Sequence, residues 1–264
     1  MRAEDLRARV ERRGDATVVR LAGRLDVDNS PALRAAVLAC LAAEPSVIVL
    51  DVAGLRHDDD VALTVLPALA QHAAAWPGSA LTLAAAPPSL ASALDRMAVA
   101  RLMRMYPTAD AALAGAAATE ATERVRATLP PMLDATAAAR HLVGRACTRW
   151  GFDRLRDIAE LVVTELVSNV LRHAGTDMEV TVAHDRRLLH VSVRDRGQGV
   201  PRLGGRPSRP APRLGRTGRE NGRPDPDEGP REDGRGLLVV SALTRAWGCI
   251  PVPDGKVVWA TVAN

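Results

Sequence analysis

Three short strings in this sequence carry residue types that could work together chemically. Glu165 and Asn169 stand four apart in Glu165-Leu-Val-Ser-Asn169; Asp195-Arg-Gly197-Gln-Gly199 sets an acid before two spaced glycines; and Gly234-Arg235-Gly236-Leu237 is a glycine turn ahead of an apolar run. Four residues are about 400° of helix, so Glu165 and Asn169 share a face about 40° apart. A carboxylate on an inward face is costly without partners. The plainer alternative is that the edge of the stripe reaches solvent there. An Asp at a strand end can accept a hydrogen bond from an exocyclic amine such as that of adenine, and glycines let the backbone approach a planar ring. A glycine turn into a helix start presents free N–H groups of the kind that bind phosphate. Acid, glycine turn and helix start together have the shape of a nucleotide site.

These strings need elements to hold them. The spacing predicts a helix over Asp153–His173, with an apolar stripe of Leu155, Ile158, Leu161, Val162, Leu166 and Val170 that includes Glu165 and Asn169. Helix Met132–Trp150 precedes it. A hairpin follows, Met178–His184 and Leu188–Arg194, and Asp195 comes directly after its second strand. A helix opens at Gly234, and strands near Ala246–Ile250 and Lys256–Val262 close the chain. The first half reads differently. Residues 5–26 alternate as a strand, then helix Pro31–Ala43, strand Val47–Asp51, helix Asp60–Ala75, strand Ala80–Ala85, and helices Ser89–Val99 and Thr108–Ala118 follow. Alternation of this kind predicts an α/β fold for the N-terminal part, and paired helices with antiparallel strands predict an α/β sandwich for the C-terminal part. Residues 118–130, poor in large apolar groups and ending at Pro130-Pro131, are expected to link a domain over 1–117 to one over 131–264, as a linker or a helical connector.

Composition narrows the function. The 264 residues are 47% hydrophobic and 25% charged, which excludes disordered, collagen-like and disulfide-scaffold classes and suits one or two globular domains. All but one of the 35 basic residues are Arg, Lys256 being the exception, and this is read as compositional bias rather than a functional Arg signature. Residues 1–120 hold 12 basic and 14 acidic side chains against 23 and 17 in residues 121–264. A nucleic-acid reader shows a stronger basic stripe, so no direct nucleic-acid partner is expected. Cys40, Cys147 and Cys249 are far apart, against a zinc site or a disulfide framework. Neither a signal-peptide core nor a run of about 18 apolar residues occurs, so the expectation is a cytoplasmic chain with no membrane partner. Between Pro201 and Pro230, Pro, Gly and Arg make up 20 of 30 residues, a composition that builds no packed core.

Taken in order, Glu165…Asn169…His173-Ala174, Asp195-x-Gly197-x-Gly199 and Gly234-x-Gly236-Leu237 resemble the N, G1 and G2 boxes of the GHKL ATPase superfamily, most closely the compact anti-sigma factor serine kinases. The resemblance covers about residues 131–264. It implies that ATP and Mg²⁺ are the cofactors, that Glu165 is the catalytic base and that Asn169 holds the metal. Asp195 would read adenine; Gly197, Gly199, Gly234, Arg235, Gly236 and Leu237 would cradle the nucleotide; and residues 200–233 would form a lid. Such a Mg²⁺ keeps much of its water and takes few protein ligands. The chain departs from the pattern at Gly255-Lys256-Val257, where related sequences often place Thr after the glycine.

The N-terminal domain resembles the STAS fold of anti-sigma factor antagonists over about residues 5–117, through Gly23-Arg24-Leu25-Asp26, Asp51-Val-Ala-Gly54-Leu55 and Asp58-Asp59-Asp60-Val61-Ala62-Leu63. In that family the last string usually reads Asp-Ser-Ser-Gly-Leu, with the second serine phosphorylated. Val61 stands at that position and cannot accept phosphate. The acidic triplet either imitates a phosphoserine or caps the helix that follows.

The expectation is therefore a fused regulator: a STAS-like module joined to an ATP-binding serine kinase that acts on a separate STAS-type anti-sigma antagonist. Docking of its own STAS module and a homodimer through the ATP-binding module are also expected. The rival is a non-catalytic ATP-switched module that sequesters a sigma factor. A histidine kinase fits less well, because His141 lacks an acidic neighbour and a downstream proline. His173 is read as a helix-end histidine facing backbone carbonyls, the alternative being a ligand or phosphate neighbour.

Overall fold

The computed structural model describes residues 5–76, 79–117, 123–185, 187–197, 199 and 235–263, with Ala117 and Arg235 described by their backbone alone. The chain divides into two compact units, Met1–Val125 with Thr181–His190, and Arg126–Val180 with Val191–Asn264.

The first sheet has the order β1 (Arg7–Arg13), β2 (Ala16–Leu25), β3 (Val47–His57), β4 (Ala80–Ala84) and β5 (Arg104–Tyr106). β1 and β2 are antiparallel, and β2 to β5 are parallel. Parallel neighbours need crossovers, here α1 (Ser30–Leu41), α2 (Val65–Ala73) and α3 (Pro88–Arg96), while α4 (Ala109–Ala117) follows β5. Val18, Val47, Val49 and Ala84 pack with Ala112 of α4. Ile48 and Leu50, fully buried, alternate to the opposite face. A strand covered on both faces reads as an unbroken apolar run, as residues 47–50 do.

Two strands differ from expectation. Residues 5–26 are two strands folded back at Gly14, and the charged, exposed side chains of β1 conceal the break. β5, three residues long and headed by Arg104, carries too little periodicity to be seen in advance. The helix expected over Asp60–Ala75 begins as a 3₁₀ turn at Ala62–Thr64 before α2. At that start Asp59 Oδ1 accepts the Val61 N–H at 2.9 Å, Asp58 pairs with Arg24 at 3.0 Å, and Asp60 with Arg96 at 2.8 Å. The Arg96 hydrogen bond holds the Asp60 carboxyl below its ordinary range. Val61 is exposed.

The second sheet has the order β6 (Arg124–Leu129), β7 (Met178–His184), β8 (Leu188–Asp195), β10 (Gly255–Ala263) and β9 (Ala246–Val252). It is an antiparallel sheet with helices, and the molecule is of the expected mixed α/β class. The helices are α5 (Ala135–Trp150), α6 (Arg156–His173) and α7 (Arg235–Leu243), and α6 packs against α5, α7 and β10. Within the expected linker, residues 124–129 form β6, whose Val125, Ala127 and Leu129 are half-buried between exposed Arg126 and Thr128. Residues 118–122 and the expected lid, 200–233, lie outside the described residues.

The stripe on α6 is corrected. Its buried side chains are Ala159, Val162, Val163, Leu166, Val167, Asn169 and Val170, whereas Leu161 is 41% exposed and Ile158 half-buried. Helix and sheet neighbours on adjoining sides favour the smaller Ala159, Val163 and Val167. The stripe is therefore turned away from Leu161, leaving Glu165 and Asn169 on its flank.

Candidate functional site

The C-terminal half of α6 sets the frame. The helix stops at Gly175, in the left-handed region at φ +58°, whose N–H reaches the Val170 carbonyl at 2.9 Å. The next residue, Thr176, accepts the Arg196 N–H on its hydroxyl at 3.2 Å, which ties the end of α6 to the turn after β8. Gly197 lies where these segments meet. A Cβ there would stand 2.7 Å from the Ala174 methyl, 2.9 Å from Asp195 Oδ1 and 3.0 Å from Lys256 Nζ.

Asp195 ends β8 with its side chain fully buried. Its Oδ1 accepts hydrogen bonds from Lys256 Nζ at 2.8 Å and from the Gly197 N–H at 2.7 Å, while Oδ2 has no partner among the described residues. Lys256 is itself buried and also donates to the Gly197 carbonyl at 3.3 Å. Gly255 makes this possible. It sits at φ +151°, and a Cβ on it would run into the Asp195 carbonyl and come within 2.7 Å of Arg196 Cα. Arg194 fastens the same corner by two bonds to Asp254, at 2.8 and 3.1 Å. On β9, across from Val258, Cys249 has its thiol pushed up to about 11, chiefly by burial.

Glu165 is half-buried one turn before buried Asn169, and its Oε2 lies against Gly236 on the first turn of α7, where any Cβ would collide with it. The Arg172 guanidinium lies 3.7 Å from the same point. The first N–H groups of α7 have no partner in their own helix and carry its positive dipole end. Of the other expected site residues, Gly199 is exposed and Leu237 is buried in the core. Gly234 lies outside the described residues. His141 and His173 are exposed. Among the described residues, no cluster of three or more His, Cys, Asp or Glu side chains could hold a metal ion. Nor is any helix long and apolar enough to cross a membrane.

Sequence reasoning missed Lys256 and Gly255 as site residues. A signal was present: Lys256 is the only lysine of the chain, and it follows a glycine.

Residues 129–262 match the family model of the histidine kinase-like ATPase domain, slightly more than half of the chain. The chain belongs to that family. Residues 8–107 of this ATPase match the model of the MlaB-type STAS domain. Three solved structures are similar to part of the chain. One is an anti-sigma factor antagonist from Mycobacterium paratuberculosis, 24% identical over 43% of this chain and 95% of that one, with a TM-score of 0.38. A putative anti-sigma factor antagonist from Thermotoga maritima is 15% identical over 42% and 94%, at 0.37. The third is the Bacillus cell fate determinant SpoIIAA in its phosphorylated form, 19% identical over 41% and 98%, at 0.34. None of the curated proteins matches the chain.

Membership of the ATPase family implies ATP, usually with Mg²⁺, and supports an enzyme of the kinase or ATPase type. The residues present fit that ligand. The buried, unpartnered oxygen of Asp195 asks for a donor such as an exocyclic amine, and α7 offers N–H groups to phosphate. A STAS domain and this ATPase domain in one chain fit a partner-switching regulator.

Proposed function

We propose that this ATPase is a protein serine kinase that phosphorylates a separate STAS-type anti-sigma factor antagonist in a partner-switching pathway. The observation that carries the reading is the position of Glu165, a carboxylate one turn before Asn169 and against the first turn of α7. A pocket that only changes shape with nucleotide needs no base at that point. Bound ATP, with Mg²⁺, supplies the phosphoryl group. Glu165 takes the proton from the substrate serine hydroxyl, so that the serine oxygen can bond to the γ-phosphorus as the bond to the ADP oxygen breaks and ADP leaves. Asn169 would hold the metal, the N–H groups at the start of α7 would steady phosphate charge, and Asp195 would take the adenine amine. Gly197 and Gly236 keep the corners clear of side chains. Val61 excludes the chain's own STAS domain as a substrate of the usual kind.

The test measures ATP binding by calorimetry together with transfer from labelled ATP to STAS proteins that carry serine at the position of Val61. Labelled serine on such a partner is the expected result. If the wild type binds ATP but labels no STAS partner, and Glu165→Ala captures a sigma factor as well as the wild type does, the chain is instead a non-catalytic ATP-switched binding module.

A further inference from the structure

Building on the nucleotide reading of the site, we propose that Lys256 is a base-reading residue: its ammonium donates to N1 of adenine while Asp195 accepts from the neighbouring 6-amino group.

The pair offers one donor beside one acceptor. Asp195 has a fully buried side chain whose Oδ2 has no partner among the described residues. Lys256, 4% exposed, uses two of its three N–H donors on Asp195 Oδ1 and the Gly197 carbonyl, which leaves one for a ligand. A buried carboxylate with a spare oxygen and a buried ammonium with a spare proton are both costly unless something completes them. The Watson–Crick edge of adenine completes both, because an amino donor stands next to a ring-nitrogen acceptor.

The residue type matters as well. In a chain with 35 basic residues of which only this one is Lys, an Arg would be the expected cation. The planar Arg fork takes both oxygens of a carboxylate and would cover Oδ2, the atom the base needs. An ammonium is a point charge and engages Oδ1 alone. The backbone keeps it there: Gly255 presses β10 against the end of β8, Lys256 is paired with Pro251 of β9, and the Arg194–Asp254 pair closes the turn.

The test is calorimetric binding of ATP and of 1-deaza-ATP, which keeps the amino group and replaces N1 by carbon, to the full chain. The wild type should bind the analogue about tenfold or more weakly, the usual size of a lost charged hydrogen bond. Lys256→Met should bind the two nucleotides within about twofold of each other, and Lys256→Leu stands in if that variant fails to fold. Comparing the nucleotides within each protein removes any general loss of affinity caused by leaving Asp195 unpaired. Equal binding of both by the wild type would overturn the proposal and leave Lys256 as a holder of Asp195 alone. A Met or Leu variant that still discriminates overturns it too. A wild type that binds neither ATP nor ADP overturns the nucleotide reading itself, a result distinct from either.

Discussion

Glu165 and Asp195 are carboxylates of the same unit, and their surroundings fit them for different tasks. Glu165 is half-buried against the start of α7, open to a proton donor, while Asp195 is sealed in and tied to Lys256. Their variants should therefore fail differently. Glu165→Ala should lower transfer to a STAS substrate by about 10²–10⁴ while calorimetric ATP affinity stays near that of the wild type. Asp195→Asn turns an acceptor toward the adenine amine into a donor and strips Lys256 of its counter-charge. Affinity should fall about tenfold or more, and denaturant unfolding should show a loss of about 3–5 kcal/mol, the usual range for a broken buried pair. Matching losses of affinity in both variants would refute the division of roles. Glu165 and Asn169 were legible because their relation is one helical turn. The Asp195–Lys256 pair joins residues 61 apart, and no local pattern encodes it.

At the scale of elements, glycines decide how closely α7 and β10 approach the site. Gly236→Ala puts a methyl into Glu165 Oε2, and the carboxylate has to swing aside. Since small misplacements of a reacting group cost up to about 10²-fold, transfer should fall ten- to a hundredfold with ATP affinity little changed. Gly255→Ala meets the Asp195 backbone at a φ that L-residues rarely adopt, so strain of about 1–3 kcal/mol should lower Tm and weaken nucleotide binding together. Retained affinity in that variant would show that β10 does not hold Asp195. In the STAS domain exposed Val61 precedes the 3₁₀ turn that leads into α2, and its N–H donates to Asp59 Oδ1. Mass spectrometry after incubation of the wild type with ATP should find no phosphate in residues 55–66, and Val61→Ser should gain it. Stoichiometric label on the wild type there would contradict the reading. The extents of β1 and β6 escaped sequence reading for a common reason: edge strands with charged faces lack the apolar run that marks a central strand.

For the whole molecule, one buried histidine links stability to pH. Within the first unit His190 is fully buried, its ring 4.6 Å from that of Trp76, and burial drives its pKa down to about 3 despite a hydrogen bond that the ring donates to the Ala75 backbone. The unfolded chain protonates this group near 6.5, so the unfolded state binds the extra proton first as pH falls. Stability contributed by the neutral ring is full above about pH 6.5 and is lost progressively toward pH 3, on the order of a few kcal/mol. Thermal melts across that window should show Tm falling with acid, and His190→Phe should flatten the part of the slope between pH 6.5 and 4.5. A slope unchanged by that substitution would place the acid sensitivity elsewhere. The paired carboxylates of Glu11, Asp60 and Asp254, also held low by Arg, are exposed and screened, and contribute little.

By itself the sequence determined the α/β class and the run of helices and most strands, because those follow from periodicity within a few residues. It also determined the acid, amide and glycine strings, because each is complete within one turn or one strand end. Tertiary structure decided what those strings meet. The burial of Asp195, its lysine partner from β10, the contact of Glu165 with Gly236 and the rotation of α6 away from Leu161 all depend on packing between distant segments. Such contacts join residues that are neighbours only after the sheet has closed, so nothing in the local order of the chain specifies them.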